Sequence, residues 1–285
     1  MQNQISRRGL LRALAHVMIG STLATVPGYF YTTELEPKWL SLERLQIPIR
    51  RLPSALEGFR IVQMSDFHLF PFTEIDLVRE AVEAANNLKP DVVLLTGDYV
   101  LSKADSIFEL APVLAGLHAK YGVFACLGNH DLWTDQAVVR IGLEESGLPL
   151  LKNDGAAISV GRAAIYIAGL DDGWSGKPDL ERALEHAPQG VPVVLLHHEP
   201  DFADINSRYG RVTLQLSGHS HGGQVRLPLI GSFVLPNYGR KYDMGLYRVN
   251  DMWLYTNRGI GVIAPPVRFN CRPEVTEITL VRGSS

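Results

Sequence analysis

The chain has 285 residues, 46% of them hydrophobic and 20% charged, with 26 glycines and 17 prolines. That balance excludes disorder, collagen-like repeats and a polytopic membrane protein, and at this length one large α/β domain or two small ones bury a substantial core. Arg7, Arg8 and Arg12 are the only charges in the first 31 residues, so of 27 bases and 30 acids the rest of the chain keeps 24 and 30, a net of −6. So acidic a body speaks against nucleic acid as a partner, because non-specific binding needs a basic footprint. Cys126 and Cys271 lie far apart in no metal-ligand spacing, and two buried free thiols are expected rather than a disulfide framework.

An apolar stretch from Ala13 to Tyr31, broken by His16, Gly20 and Pro27, follows the basic start. It is too short and too interrupted for a permanent membrane span. Ser6-Arg7-Arg8-Gly9-Leu10-Leu11-Arg12 resembles the twin-arginine export signal. Residues 1–35 are therefore expected to be an export signal or an N-terminal anchor, with no convincing A-x-A cleavage site. The export machinery becomes an expected partner, and the expected location is the periplasm, the cell wall or a membrane surface outside the cytoplasm.

From Phe59 onward short apolar runs alternate with helical patterns. Strands are expected at 59–64, 91–96 and 123–127, with helices over 73–88, 105–119 and 134–146. Further strands fit 156–160, 163–168, 192–196, 212–216, 244–249, 252–256 and 275–281, with helices at 178–187 and 201–207. The first half reads β-α-β-α-β, the pattern of a parallel sheet with helical crossovers. No linker or internal repeat interrupts residues 36–285, which are expected to form one α/β domain and a monomer.

Function in an α/β sheet collects at the carboxyl ends of the strands. Here those ends carry Asp66-x-His68, Gly97-Asp98, Gly128-Asn129-His130-Asp131, His198, and Gly218-His219-Ser220-His221. Carboxylates, an amide and imidazoles with no thiolate bind divalent metals through oxygen and nitrogen. Each motif alone is weak; five of them at successive strand ends point to one site.

This ordered set resembles the calcineurin-like metallophosphoesterase superfamily, whose pattern is D-x-H, G-D, G-N-H-[DE], H and G-H-x-H, over about residues 58–282. GDYV (97–100), HEPD (198–201), GHSHGGQVRLP (218–228) and RFNCRPEVT (268–276) make it similar to the bacterial YkuE/YaeI-type phosphodiesterases. The resemblance implies a four-layer α/β/β/α sandwich of mixed sheets. It further implies two divalent ions bridged by Asp98, with Asp66, His68 and His221 completing one and Asn129, His198 and His219 the other. Mn, Fe, Zn, Co or Ni would suit such a donor set. A metal-bridging hydroxide would attack phosphorus directly; His130 would protonate the leaving oxygen or stabilise the transition state, and Asp131 would orient His130. The register of HEPD selects His198 over His197, which is expected to pack. The loop GLDDGWSG (169–176) is left outside the site.

The sequence lacks the D-R-G that follows G-D in phosphoprotein phosphatases. The implied activity is hydrolysis of a phosphodiester, small or lipid-linked. Two other readings stay open: a pyrophosphatase of a nucleotide-diphospho lipid, and a non-catalytic envelope-binding module.

Overall fold

The computed structural model describes residues 25–283, so the arginine pair and the apolar stretch up to residue 24 lie outside the described residues. Among the described residues no helix is long and apolar enough to cross a membrane. In chain order the strands are β1 (Ser41–Arg50), β2 (Arg60–Met64), β3 (Val92–Leu95), β4 (Val123–Ala125), β5 (Asp154–Val160), β6 (Ala163–Gly169) and β7 (Val193–Leu196). They continue with β8 (Leu214–Ser217), the short pair β9 (Arg226–Leu227) and β10 (Gly231–Ser232), β11 (Gly245–Val249), β12 (Met252–Thr256) and β13 (Glu274–Gly283). The helices that cover them are α1 (Ile75–Asn87), α2 (Ile107–Leu114), α3 (Asn129–Glu145), α4 (Leu180–Ala183) and α5 (Ala203–Asn206).

Two mixed sheets result, with strand orders β1-β13-β2-β3-β4 and β11-β12-β8-β7-β6-β5. The same tetrapeptide, Val-Val-Leu-Leu, forms β3 in one and β7 in the other, and all four residues are buried each time. Strands apolar on both faces need cover on both faces. Val92 and Leu94 of β3 meet Val194 and Leu196 of β7 in the core between the sheets. Val93 and Leu95 turn outward onto α1, α2 and α3, while Val193 and Leu195 turn outward onto α4 and α5. The layers are therefore α/β/β/α. The polar exception in the middle is Gln63, fully buried, which donates to Thr96 Oγ1 at 3.0 Å and to the Ser217 carbonyl at 2.9 Å. It ties the two sheets together beneath the ends of β3 and β8.

The expected elements are present, with informative shifts. Strand β1 was not expected: it pairs in parallel with β13 from Ser41↔Glu274 to Arg50↔Gly283. It lies at the sheet edge, where Pro48 leaves no internal ladder bond unmade, and it buries side chains on one face only. The helix expected at 134–146 begins earlier, at Asn129, and is broken at Asp135 (φ −159°, ψ 99°). Two caps explain this. The Asp131 carboxylate accepts the Gly128 N–H at 2.9 Å, and the Asp135 carboxylate accepts those of Ala137 and Val138 at 3.0 and 3.2 Å, so each segment starts on its own aspartate. Both cysteines are buried free thiols.

Because β3 is packed from both sides, Leu94→Ala should cost about 2–5 kcal/mol of unfolding free energy, the range for a buried leucine whose cavity cannot collapse. Urea denaturation measures it; a loss below about 1 kcal/mol would show that the two sheets repack across the gap.

Candidate metal centre

The carboxyl ends of β2, β3, β4, β7 and β8 open on one edge of the stacked sheets, and the strand-end motifs converge there. Asp66 and His68 follow β2, Asp98 follows β3, Asn129 and His130 begin α3 after β4, His198 follows β7, and His219 and His221 follow β8. Asp66, His68, Asp98, His219 and His221 all hold left-handed backbone angles, with φ from 44° to 70°. Such angles are uncommon outside glycine and cost of order 1–3 kcal/mol each, and they gather where a site over-determines the backbone. Two glycines let the strands approach. A Cβ on Gly128 would lie 2.3 Å from Asp98 Oδ1, and one on Gly218 would lie 2.1 Å from Asp66 Oδ2.

Two triads result: Asp66 with His68 and His221, and Asp98 with His198 and His219, the candidate ligand atoms of each within 4.8 Å of one another. Asp98 also stands with His68 and His130 in a third. Its Oδ2 lies 3.1 Å from His198 Nε2 and 3.4 Å from His68 Nε2, so one carboxylate oxygen sits between the two main triads. His68 Nε2 and His221 Nε2 face each other at 2.9 Å. Both rings aim a nitrogen at the same small volume, close enough to share a proton and placed to share a cation. Asn129 is buried and its Oδ1 has no hydrogen-bond partner, nor has His198 Nε2. Orphaned buried acceptors of this kind are costly unless something binds them. The donor set therefore fits divalent metal ions.

Backbone carbonyls choose the nitrogens. His198 Nδ1–H donates to the Thr96 carbonyl at 2.6 Å, leaving Nε2 as the ligand atom, and His219 Nε2–H donates to the Asn237 carbonyl at 2.8 Å, leaving Nδ1. Such outer contacts fix the tautomer of a metal-binding histidine. Burial opposes the charge on Asp98, but the imidazoles of His198 and His130 outweigh it and hold the carboxyl well below its usual range. Asp66 behaves alike, with burial overcome by His221 and His198. Burial alone would lower His198; the Asp98 carboxylate beside it holds that imidazole well above the usual value. Burial lowers His68 strongly, and burial followed by the charge of His198 lowers His219 to about 4.

The structure brings Asp66, His68, Asp98, Asn129, His130, His198, His219 and His221 to this edge. Asp131 has a different surrounding from the one expected. Its carboxylate does not orient His130, whose Nδ1 bonds the Leu101 carbonyl at 3.1 Å. Instead it accepts the N–H groups of Asp98 (2.9 Å), Tyr99 (2.8 Å), Val100 (3.3 Å) and Gly128 (2.9 Å). The reason is position: as the third residue of α3 its side chain folds back over the helix start, onto the Gly97-Asp98 turn. Burial and then the charge of Asp98 push its pKa up to about 8, against the pull of the amides. His197 packs on Phe202 and bonds Asn206, away from both triads.

The loop after β6, left out of the site on sequence grounds, belongs to its rim. Trp174 stands edge-on to His219 (5.8 Å between ring centroids), to Trp133 (5.0 Å) and to Tyr238 (5.8 Å). Its N–H and that of Gly173 donate to Glu199 at 3.3 and 2.8 Å. Burial, then a hydrogen bond shared with Asp172, keeps the Glu199 carboxyl well above its usual range. The signal was available: β6 runs parallel to β7, with Gly169 opposite Leu196, so its loop must open beside His198.

A family model described as calcineurin-like phosphoesterase matches residues 59–223. The chain is 34% identical over 282 residues to the uncharacterized metallophosphoesterase YkuE of Bacillus subtilis, spanning 97% of this chain and 98% of that one. It is 34% identical over 281 residues to the phosphodiesterase YaeI of Escherichia coli, spanning 97% and 100%. It is 27% identical over 328 residues to the UDP-2,3-diacylglucosamine pyrophosphatase LpxG of Chlamydia muridarum, spanning 91% and 97%. Among solved structures, the sulfate thiohydrolase SoxB of Thermus thermophilus superposes with a TM-score of 0.51 at 14% identity, over 73% of this chain and 53% of that one; this last likeness is one of fold.

Replacing Asp131 separates its two possible duties. Asp131→Ala strands four buried amides and should cost about 3 kcal/mol or more in urea unfolding, with Asp131→Asn, which keeps one acceptor oxygen, losing less. A residue that only oriented His130 would leave stability unchanged and move the pH profile of turnover instead.

Proposed function

The chain belongs to the calcineurin-like phosphoesterase family and is a hydrolase of phosphoester bonds, and on that premise we propose that it is a binuclear phosphodiesterase. The observation that carries this reading is the place of Asp98 Oδ2 between His68 and His198, the position of a bridging carboxylate. Asp66, His68 and His221 would hold one ion and Asn129, His198 and His219 the other. Two divalent cations so held supply Lewis acidity toward the phosphoryl oxygens and lower the pKa of water toward neutrality. Mn, Fe, Zn, Co and Ni all suit the mixed oxygen and nitrogen donors.

The chain's own residues would then complete the reaction. His130 is half-buried, its Nδ1–H held by the Leu101 carbonyl and its backbone N–H donated to Asp98 Oδ1 at 2.8 Å. Its ring lies edge-on to His68 with centroids 4.7 Å apart, within reach of a leaving oxygen, so it serves as the general acid or as a transition-state donor. Asp131 supports the turn that presents Asp98. Hydrolysis in such a site needs no covalent adduct with a side chain.

The name of YaeI favours a diester; that of LpxG favours a pyrophosphate as the second reading, which the same site could serve. Residues 36–285 form the catalytic domain in this reading, acting as a monomer outside the cytoplasm. Residues 1–35 act as its export signal or membrane anchor, supported by Arg7-Arg8 and the apolar stretch after them.

Metal analysis and hydrolysis of bis-p-nitrophenyl phosphate, on wild type and Asp98→Ala after loading with Mn, Fe, Zn, Co or Ni, test the proposal. About two metals per wild-type chain are expected. The variant should lose them with more than about a hundredfold of turnover, beyond the loss from a residue that merely supports a ligand. An Asp98→Ala protein that keeps both metals and its turnover would overturn it.

Cation binding should also be linked to pH. The Asp98 carboxylate raises the His198 pKa and so favours its charged form, whereas a ligand must be neutral. Titration with Mn²⁺ at pH 7 in buffers of different ionisation heat should therefore show net proton release, with affinity falling as pH falls. Proton-neutral binding would remove His198 from the ligand set.

A further inference from the structure

The segment that leaves the last ligand, His221, does something the ligand set does not require. It runs out through β9, turns, returns through β10 and comes back to the cluster at Asn237, whose carbonyl holds His219. At its tip and along its return, several apolar side chains face outward. Leu229 is fully exposed, and Ile230, Phe233 and Val234 are 66%, 71% and 78% exposed. A soluble protein has no reason of stability to present such a cluster, and apolar patches of this kind mark sites of interaction.

Under the hairpin lies a groove of about 390 Å³ that begins at His219 and His221 and continues between Val225, Phe233 and Leu235 on one side and Ile263, Pro265 and Val267 on the other. Its floor is rigid. The Gln224 side chain accepts from the Ile263 N–H at 2.7 Å and donates to the Ile263 and Pro265 carbonyls. The Arg226 guanidinium clamps the hairpin base to the Gly222 carbonyl and to Asp243, at 2.8 and 2.6 Å. A ligand that spans this groove has to be anionic at the metal centre and hydrocarbon along the rest.

The chain's apolar N-terminus arrives on the same face. The Thr32 carbonyl accepts the Arg268 N–H at 2.9 Å, Tyr31 packs edge-on to Phe269 at 6.5 Å, and the Phe269 carbonyl accepts the Arg226 N–H of the hairpin at 2.9 Å. Val26, Tyr29 and Phe30 are exposed beside it, and they continue the apolar stretch that starts at Ala13.

We propose that this groove and hairpin bind the acyl chains of a lipid phosphoester, with its phosphate on the metal centre and the hairpin tip seated in the bilayer from which the lipid comes. The substrate class of the proposed phosphodiesterase site is then a membrane lipid rather than a soluble diester, an inference that rests on that reading and is tested apart from it.

The probes are ethyl phosphate and dodecyl phosphate, titrated calorimetrically into the metal-loaded full chain below their micelle concentrations. The expected result is dodecyl phosphate bound at least tenfold tighter, since each buried methylene is worth about a threefold to fourfold gain. In Phe233→Glu and Val234→Glu, at sites exposed enough to tolerate charge, that advantage should fall severalfold. Flotation with vesicles of phosphatidylglycerol and phosphatidylethanolamine should likewise be lost in Leu229→Glu. Equal wild-type affinity for the two phosphates overturns the inference whatever the variants do. So does a chain-length advantage that both groove variants keep, or one that appears only because a second copy or another protein occupies the groove, as sedimentation would reveal. A wild type that prefers dodecyl phosphate but hydrolyses no bis-p-nitrophenyl phosphate would instead overturn the phosphodiesterase reading and leave the acyl site standing.

Discussion

Two carboxylates, Asp66 and Asp98, are buried completely or nearly so, and the ionic partners they reach among the described residues are all histidines. A buried anion is unstable unless it is paired. Here four imidazoles, His68, His198, His219 and His221, crowd around the pair, and burial keeps two of them, His68 and His219, in the neutral form. The imidazole of His198, its pKa raised by Asp98, offsets part of that charge, and divalent cations would complete the site. Much of the local architecture follows from bringing these groups together. Left-handed backbone at Asp66, His68, Asp98, His219 and His221 turns each chain sharply at its strand end, and Gly128 and Gly218 remove the side chains that would collide with the carboxylates.

Those turns are expensive, and the energy that holds them comes from the layers behind. Strands β3 and β7 are buried on both faces, so the layers on either side hold them in place beneath the turns. Gln63 then fixes one sheet against the other just below the turns. Asp131 works at the same level: by collecting the N–H groups of Asp98, Tyr99, Val100 and Gly128 it locks the turn after β3 to the start of α3. An acidic side chain at a helix start, facing amides, meets the favourable end of the helix dipole there.

Much of this was legible in the residues themselves. Uninterrupted runs such as DVVLLT and VPVVLLH announce doubly covered strands, and polar groups directly after them announce a site at the strand ends. Strand β1 escaped although Leu45, Ile47 and Ile49 alternate as a half-buried strand does, because charges and Pro48 interrupt the run and its partner β13 lies at the far end of the chain. Asp131 was misread for a related reason. Adjacency in sequence suggested a partnership with His130, but consecutive residues on a helix point in different directions, and the third residue of a helix folds back toward its own N-terminus. Trp174 was missed because its loop carries no ligand; only the pairing of β6 with β7 brings it beside His219.

The metal centre and the apolar hairpin are one construction rather than neighbours. His221 begins the segment that becomes the hairpin, and Asn237 ends it by fixing the tautomer of His219. The same stretch of chain therefore supplies one candidate ligand, shapes the groove wall and orients another. The candidate ligands on the opposite side, Asp66 and Asp98, are backed by β2 and β3, the most deeply packed strands of the first sheet. One wall of the site is thus anchored in the core while the other is built on a surface hairpin, which allows the second wall to meet the variable part of a substrate without disturbing the first.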